Sequence, residues 1–302
     1  MRTFDAFLGA AAVVAGLAAG DAGAAELVAM GRYTWRESGD SFGGFSGLVM
    51  AADGRSFFAV TDQGEFYEAA VARDPDRRIA GIRTLWHARL LDNHGEPVDG
   101  FTADAEALAP GADGGLFVGY ESYARVTGLK PPDLHPLPLH PFDRFRALWS
   151  NASFEGVAER PEGGLIVVSE AAGAASGGYT TFLGDGAGPE KIWRPGPTVP
   201  AGGGGFDASD AAFGPDGRFY VLERRVTLGG FSSRVRRFEY RDGGFGAAET
   251  LLETTPGALD NMEGMSIWTD ADGRTVISLI SDDNFLFAQK TIVAEYELKE
   301  RR

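Results

Sequence analysis

The sequence predicts an all-β protein built from one repeated unit. Five segments share a pattern in which a short apolar strand, a glycine turn and a second apolar strand follow one another. They cover residues 45–64, 104–122, 154–171, 209–225 and 262–284. Turns of the DG or GG type between apolar runs are a strong β-hairpin signal. Copies that recur roughly every fifty residues are typical of four-stranded propeller blades. The sequence therefore predicts a β-propeller of five four-stranded blades, with six as the alternative.

The ends of the repeat array predict how the propeller closes. The earlier copies are followed by enough strand-like sequence to complete four strands each. The last copy is followed only by residues 291–298, so its blade lacks a fourth strand. Residues 26–35 resemble the missing outer strand. We expect this N-terminal strand to complete the last blade, because that closure removes an exposed sheet edge.

The first 24 residues are predicted to be a signal peptide. Arg2 precedes an apolar stretch from Ala6 to Ala19, and Ala22-Gly23-Ala24 offers a cleavage site of small residues. Asp5 weakens the basic region, and the alternative is an N-terminal helix that is disordered or packs on the core. The apolar stretch is too short to span a bilayer. We expect a periplasmic or secreted protein, with a mature domain of residues 25–302 that does not insert into a membrane.

The composition limits the kinds of molecule that this protein is expected to bind. The chain has 302 residues, and its formal net charge is −15. Coulomb repulsion then opposes the approach of nucleic acid or an anionic membrane, whereas cations are attracted. The absence of cysteine excludes disulfides, thiol chemistry and zinc sites built on thiolates.

Acidic residues recur at fixed places in the repeat. The residues that open the first strands are Ser46, Glu106, Glu155, Asp210 and Glu263. The residues that close the second strands are Asp62, Glu121, Glu170, Glu223 and Asp282. In a propeller the first strands line a central channel, so roughly ten such positions should meet at one channel mouth. The sequence predicts a ring of carboxylates there. The alternative is that the acids cap turns or pair with bases between blades.

Several segments resemble the phytase-like family, which is also named "esterase-like activity of phytase". They are SDDNFLFAQKTIVAEYEL from Ser281, the N-x-x-F-E-G-V-A segment from Asn151, MEGMS from Met262, LERR from Leu222 and ESYARV from Glu121. The resemblance covers most of residues 25–302. It implies a bacterial β-propeller that is secreted or periplasmic and that hydrolyses a phosphoester or ester.

The predicted carboxylate ring suggests a divalent cation. Crowded carboxylates must be protonated, paired with bases or bound to a cation. Calcium fits best, because it takes six to eight oxygen ligands in flexible geometry, and magnesium or manganese is the alternative. The candidate ligands are Glu106, Glu155, Glu263, Asp282, Asp283 and Asn284.

Three arginines near the ring are candidates for binding the substrate. Arg125, Arg224 and Arg225 could neutralise the acids without a metal, or hold a phosphate or carboxylate bidentately. If metal and arginine share the mouth, metal-assisted hydrolysis of a small (phospho)ester follows, with Glu155 or Glu263 as the catalytic base. The rivals are a calcium-dependent lactonase-type hydrolase and a non-enzymatic binding or scaffold propeller that holds a structural ion.

Other nucleophiles and metal ligands fit less well. Ser46 does not fit the G-x-S-x-G pattern of a serine hydrolase, because Leu48 occupies the second glycine position. His135 and His140 lie in a proline-rich segment, residues 131–141, which we interpret as a stiff loop over the channel mouth.

Overall fold

Alternating apolar residues and glycine turns fold this chain into antiparallel strands. The computed structural model describes residues 25–138, 154–173, 176–185 and 192–300. The predicted signal peptide, His140 and Asn151 lie outside the described residues. Within them, a 3₁₀ turn at Gly100–Thr102 precedes the second blade. No helix in the described part of the chain is long and apolar enough to cross a membrane.

The strands form five sheets, each of which is one propeller blade. The first blade consists of β2 (Phe45–Met50), β3 (Ser56–Thr61), β4 (Glu65–Arg73) and β5 (Ile79–Arg89). The second consists of β6 (Ala105–Pro110), β7 (Leu116–Tyr120), β8 (Arg125–Lys130) and β9 (Asp133–Pro138). The third consists of β10 (Phe154–Glu159), β11 (Leu165–Gly173), β12 (Gly178–Asp185) and β13 (Ile192–Pro195), and β14 (Val199–Pro200) also pairs with β12.

The last two blades confirm the predicted count and closure. The fourth blade consists of β15 (Asp207–Phe213), β16 (Phe219–Thr227), β17 (Gly230–Arg241) and β18 (Gly244–Glu253). The fifth consists of β19 (Asn261–Thr269), β20 (Thr275–Asp282), β21 (Ile292–Lys299) and the N-terminal β1 (Glu26–Thr34). β1 pairs antiparallel with β21, from Glu26 opposite Lys299 to Thr34 opposite Ile292. The N-terminal strand therefore covers the edge that the last repeat leaves open.

The first strands of the blades surround the channel. β2 contacts β6, β6 contacts β10, β10 contacts β15, β15 contacts β19, and β19 contacts β2 again. Close approach of these strands depends on small residues. A Cβ on Gly47 would lie 2.7 Å from the backbone nitrogen of Leu108 in the next blade, and a Cβ on Gly264 would lie 3.0 Å from the backbone of Gly47.

The hydrophobic core lies between blades rather than at one centre. Each of five clusters in the described residues joins two neighbouring blades. One of them packs Trp35 against Phe45 and Phe57 of the first blade, together with Trp268 of the fifth. Burial of such side chains contributes about 1.5–3 kcal/mol each, so the blades are held together mainly by these contacts.

The interpretation of residues 131–141 as a loop over the mouth is wrong for the part that the structure describes. Residues 133–138 form β9, the outermost strand of the second blade, and pair with β8. Proline is tolerated in an edge strand, because one side of that strand needs no hydrogen-bond donors. Residues 139–141 lie outside the described ranges.

Candidate functional site

A β-bulge interrupts the first strand of every blade at its second or third residue. In the first blade the pairing shifts between Phe45 and Gly47, and the other four blades shift at the matching place. A bulge leaves one residue unpaired and redirects its side chain. The residues at the five bulges are Ser46, Glu106, Glu155, Ser209 and Glu263. They occupy equivalent places at one end of the channel, which we call the mouth.

The prediction that Asp210 opens the fourth blade is wrong by one residue. Ser209 occupies the bulge, and Asp210 takes the place that glycine holds in three other blades. Because neighbouring residues of a strand point to opposite sides, a shift of one residue reverses the side chain. The carboxylate of Asp210 is buried and accepts hydrogen bonds from the N–H groups of Met265 and Ala211 at 2.6 and 2.7 Å. Asp210 therefore ties the fourth blade to the fifth.

A second set of residues lies at the mouth, at or near the ends of the second strands. In the first blade Phe45 pairs with Thr61, so the next residue along, Asp62, stands at the mouth. The same register gives Asp62, Glu121, Glu170, Arg224 and Asp282. The first, second, third and fifth blades therefore each contribute an acid to this set. The fourth blade contributes an arginine.

Glu223 was predicted to be the fifth acid of this set, and that prediction is also wrong. Glu223 pairs with Ala208 and is fully buried between blades. It accepts hydrogen bonds from Arg234 at 2.6 Å, from Arg236 at 2.6 and 2.8 Å, and from the hydroxyl of Tyr179 at 2.7 Å. Burial acts to raise its pKa, but the hydrogen bonds from Arg236 and Arg234 outweigh burial and hold the pKa of Glu223 below its usual value.

The second blade brings three carboxylates together. One oxygen from each of Asp104, Glu106 and Glu121 lies within 4.8 Å of the other two. All three side chains are half-buried, and the hydroxyl of Ser122 donates to Asp104 at 2.9 Å. This spacing is suited to a single cation that is held by several oxygens.

Arg224 organises the opposite part of the ring. Its guanidinium forms an ion pair with Glu263, donates to Glu170 at 3.2 Å and donates to the side-chain oxygen of Asn261 at 3.2 Å. Asn261 in turn donates to Glu263 at 2.6 Å. A single guanidinium is therefore shared among several acceptors.

The acids at the mouth raise one another's pKa. Burial raises the pKa of Glu106 well above its usual value, and the charges of Glu155 and Glu263 raise it further. Burial likewise raises the pKa of Glu155 well above its usual value, against the opposing charge of Arg224. The mutual effects of Glu106, Glu155 and Glu263 show that acids from three blades share one electrostatic environment.

The same causes act on the neighbouring acids. Burial, together with the charge of Asp282, raises the pKa of Glu263 to about 7, although Arg224 opposes the shift. The pKa of Asp282 is raised to about 6 by burial and by Asp283. Burial and the charges of Asp282 and Asp104 raise the pKa of Asp62 to about 7. Such raised values are typical of acids for which burial and negative neighbours outweigh any nearby positive charge.

Besides its raised pKa, Asp62 has a second feature that suits the binding of a cation. Its Oδ1 atom is buried and has no hydrogen-bond partner among the described residues. Gly44 lies directly beside it in the left-handed region, at φ +68°, and a Cβ there would collide with both Asp62 and Phe285. A buried carboxylate oxygen without a partner is costly unless a cation or water reaches it. The acids present therefore fit a hard divalent cation, for which oxygen ligands are preferred.

The segment Ser281–Phe285 contributes to the mouth and to its loop. Asp282 stands at the mouth, and its Oδ1 accepts a hydrogen bond from the N–H of Asn284 at 2.6 Å. Asp283 accepts from the N–H groups of Gly44 and Phe285, both at 3.2 Å, so it joins this loop to the first blade. Asn284 is exposed and has a φ of +48°.

The other two predicted substrate-binding arginines have different surroundings from Arg224. Arg125 stacks on the ring of Tyr120 at 3.7 Å and donates to the carbonyl oxygens of Ser122, at 2.8 Å, and Thr102. Arg225 stacks on Phe206 at 4.4 Å and donates to the carbonyl of Gly204 at 3.0 Å. Of the three arginines, Arg224 is the one that contacts a predicted catalytic acid, Glu263.

Sequence reasoning missed part of this arrangement. Asp62 and Glu121 were predicted to belong to the ring but not to be metal ligands. Asp104 and Asn261 were predicted neither as ring residues nor as ligands. Asp104 and Asn261 each precede a ring glutamate, Glu106 and Glu263 respectively, by two residues. Residues two apart in an extended chain point to the same side, so this spacing was a usable signal.

Comparison with solved structures finds similarities of low sequence identity. It is similar to hydrazine synthase from Kuenenia stuttgartiensis, with 13% identity and a TM-score of 0.42 over 88% of this chain and 66% of that one. It is similar to a PQQ-bound aldose sugar dehydrogenase from Streptomyces coelicolor, with 11% identity and a TM-score of 0.45 over 89% and 98%. It is also similar to a gluconolactonase from Xanthomonas campestris, with 13% identity and a TM-score of 0.45 over 91% and 90%.

Sequence comparison is more specific. No curated protein matches the chain. The profile of a family described as "Phytase-like: Esterase-like activity of phytase" matches residues 40–285, which span all five bulges and the Ser281–Phe285 segment. The chain therefore belongs to the phytase-like family.

Proposed function

We propose that this protein is an exported hydrolase that binds a divalent cation at the mouth and cleaves a phosphoester or a related ester. The observation that carries the proposal is the cluster of three carboxylates from Asp104, Glu106 and Glu121. One oxygen from each lies within 4.8 Å of the other two. The buried, unpartnered Oδ1 of Asp62 supports it. Calcium is the preferred ion, because it accepts many oxygen ligands in irregular geometry.

The ligand set combines the predicted residues with those that the structure adds. Asp104, Glu106 and Glu121 would hold the ion, and the neighbouring Asp62 and Asp282 would supply further charge. Glu155 and Glu263 lie on the side of the ring that Arg224 occupies. Asp283 and Asn284 would act mainly by holding the loop around Asp282 in place.

Each group at the mouth has a separate chemical task. A bound divalent cation would polarise the ester oxygen and favour its attack by water. Glu263 has a pKa of about 7, which suits a residue that must accept a proton at neutral pH. Arg224 holds Glu263 in place, and its guanidinium would attract an anionic oxygen of the substrate. Glu155 is the second candidate for the base.

The test is an assay on protein that has been stripped of metal and then supplied with calcium, magnesium or manganese. Phosphate monoesters, carboxylic esters and lactones serve as separate substrate sets. We expect calcium-dependent turnover that falls by about 100-fold or more in Glu263→Gln, as is usual when a catalytic base is lost. The exposed Glu239→Gln is the control and should leave the rate unchanged. Absence of turnover with every ion and every substrate set would refute the proposal.

A non-catalytic role is favoured by one observation. Arg224 already pairs with Glu263 and Glu170, so part of the negative charge of the ring is offset without any substrate. If the ion is structural, calcium will raise the melting temperature while no ester is cleaved. Turnover of lactones alone would instead identify a lactonase-type hydrolase.

Export is proposed from the sequence and supported by the surroundings of Ala25. Ala25, the predicted first residue of the mature chain, is buried and its N–H donates to Glu249 at 2.6 Å. A chain that begins there would place a positive amino group against this carboxylate. Intact-mass analysis of the protein recovered from the periplasm or medium should give a chain that starts at Ala25. Retention of residues 1–24 would contradict export by cleavage.

A further inference from the structure

Exposed apolar side chains are concentrated around the mouth. Among the described residues, most of the large exposed apolar side chains lie on turns, loops or strand ends at this end of the channel. They are Phe101, Tyr123, Val226, Leu228, Phe285, Leu286 and Phe287. The others, Val28, Leu85 and Leu137, lie on outer strands of different blades. Scattered apolar side chains need no explanation, but a group around one opening indicates a binding surface.

The apolar residues are direct neighbours of the acidic ring. Tyr123 follows Glu121 by two residues, and its ring packs edge-on against Phe101 with 5.2 Å between the ring centres. Phe285 follows Asp283 by two residues, and its ring lies against Gly43 and Gly44. We call Phe101, Tyr123, Phe285 and Phe287 the aromatic rim.

The rim flanks the proposed cation ligands on both sides. Phe101 and Tyr123 belong to the second blade, and Phe285 and Phe287 belong to the fifth, with the first blade between them. Asp62 of the first blade is influenced by acids of both neighbours, Asp104 and Asp282. A substrate whose reacting group sits near Asp62 therefore has aromatic surfaces within reach on two sides.

The charge of the mouth disfavours a highly phosphorylated substrate. Acids exceed bases by fifteen in the chain, and acids from four blades meet at the mouth. Arg224, which belongs to the ring, is already shared by Glu263, Glu170 and Asn261. Several phosphate groups on one molecule would need several matching cations, whereas one bound ion offsets only two charges.

The geometry points to an ester with one reacting group and an apolar, aromatic leaving group that packs on the aromatic rim. This inference rests on the proposed function and specifies its substrate class. The cation and the ring would hold the reacting group, and the rim would hold the leaving group. Polyphosphorylated sugars and cyclitols would be poor substrates.

The test compares leaving groups of similar acidity and different apolar surface. Values of kcat/KM are measured for 2-naphthyl and phenyl phosphate, for 2-naphthyl and phenyl acetate, and for inositol hexakisphosphate. We expect the naphthyl ester to be preferred by about tenfold, the range that extra apolar contact provides in a binding pocket. Phe285→Ala and Phe101→Ala should reduce that preference toward one, mainly through KM. Leu85→Ala and Val28→Ala, which remove exposed apolar side chains elsewhere, should leave it unchanged.

A binding measurement separates failure of the inference from failure of the proposed function. If no ester is cleaved, the proposed function fails. The rim is then tested by the calorimetric affinity of calcium-loaded protein for 2-naphthyl and phenyl phosphonate, which cannot be hydrolysed. Tighter binding of the naphthyl compound, lost in Phe285→Ala, supports the rim. Equal values for the two compounds, or a preference for inositol hexakisphosphate, would overturn the inference.

Discussion

Two carboxylates in this propeller, one fully buried and one half-buried, have opposite surroundings. Glu223 lies between blades and is fully matched by Arg234, Arg236 and Tyr179. Glu106 lies at the mouth among other acids, and its strongest electrostatic neighbours, Glu155 and Glu263, are also negative. The pKa of Glu223 is lowered and that of Glu106 is raised. The difference shows that the neighbours of an acid, more than its burial, distinguish a structural residue from a candidate ligand.

The largest expected effect comes from removing the matched acid. Glu223→Ala leaves two buried guanidinium groups without their partner, so we expect a loss of about 3–5 kcal/mol in the free energy of unfolding. Urea denaturation measures it, and Glu239→Ala is the exposed control. If the alanine variant does not fold, Glu223→Gln keeps the shape and should lose less. A loss below about 1 kcal/mol in both would show that this cluster is not a stabilising one.

The unmatched acids should respond to calcium. Binding to the folded state alone stabilises by about 2.7 kcal/mol when the ion is at a hundred times its dissociation constant. We expect a higher melting temperature with calcium than with chelator. In Glu106→Gln this difference should disappear, while the variant in chelator should be at least as stable as the wild type because repulsion is relieved. If calcium raises the melting temperature of Glu106→Gln as much as that of the wild type, Glu106 does not bind the ion.

The two regions should also differ in their pH dependence. The folded pKa of Glu263 is about 7, and that of an unfolded glutamate is near 4.3. Between these values the folded state binds the extra proton, so its contribution to stability falls as the pH rises. Each pKa unit corresponds to about 1.4 kcal/mol. Glu223 has a lowered pKa, so its contribution is present above the unfolded value and is lost as the pH falls below it.

Urea denaturation in chelator between pH 4 and pH 8 checks this opposition. The stability difference between the wild type and Glu263→Gln should decline as the pH rises toward 7. The difference between the wild type and Glu223→Gln should stay constant from about pH 5 to pH 8 and shrink only as the pH falls below the unfolded pKa, near 4.3. If the stability difference between the wild type and Glu263→Gln instead increases with pH, the charge of Arg224 outweighs the effects that raise the pKa of Glu263.

The smallest expected effect concerns the arginine of the ring. Arg224→Met removes a positive charge that opposes cation binding, so calcium affinity should rise by about fivefold, which corresponds to roughly 1 kcal/mol at moderate effective dielectric. Arg225→Met is the neighbouring control and should change the affinity little. Weaker calcium binding in Arg224→Met would show that Arg224 orders the acids rather than competing with the ion.

The fold could be predicted from the sequence because its signals are local and repeated. The glycine turns and the paired apolar strands recur in five copies, and the unpaired last copy indicates where β1 must add. The exact ring residues could not be predicted in the fourth blade. The same five-residue stretch, Ser209–Phe213, satisfies two registers, and a bulge decides between them. A sequence pattern of alternating residues does not show a one-residue bulge, so Asp210 and Glu223 were assigned to the mouth in place of Ser209 and Arg224.

The ion pairs of Glu223 could not be predicted from the sequence either. Arg234 and Arg236 are two apart and therefore reach Glu223 from the same side of β17, but nothing local shows that Glu223 turns toward them. By contrast, Asp104 and Asn261 could have been found by their spacing from Glu106 and Glu263. Contacts between side chains on different strands could not be predicted from the sequence, whereas residues related by their spacing along one strand could be.

The most direct test of the central claim is calcium titration by calorimetry at neutral pH, after removal of metal, on the wild type, Glu106→Gln and Glu223→Gln. The claim is that the unmatched acids of the mouth, and not the matched acid between blades, hold a divalent cation. We expect saturable binding with proton release in the wild type, retained in Glu223→Gln and lost in Glu106→Gln. Absence of binding in the wild type, or unchanged binding in Glu106→Gln, would contradict it.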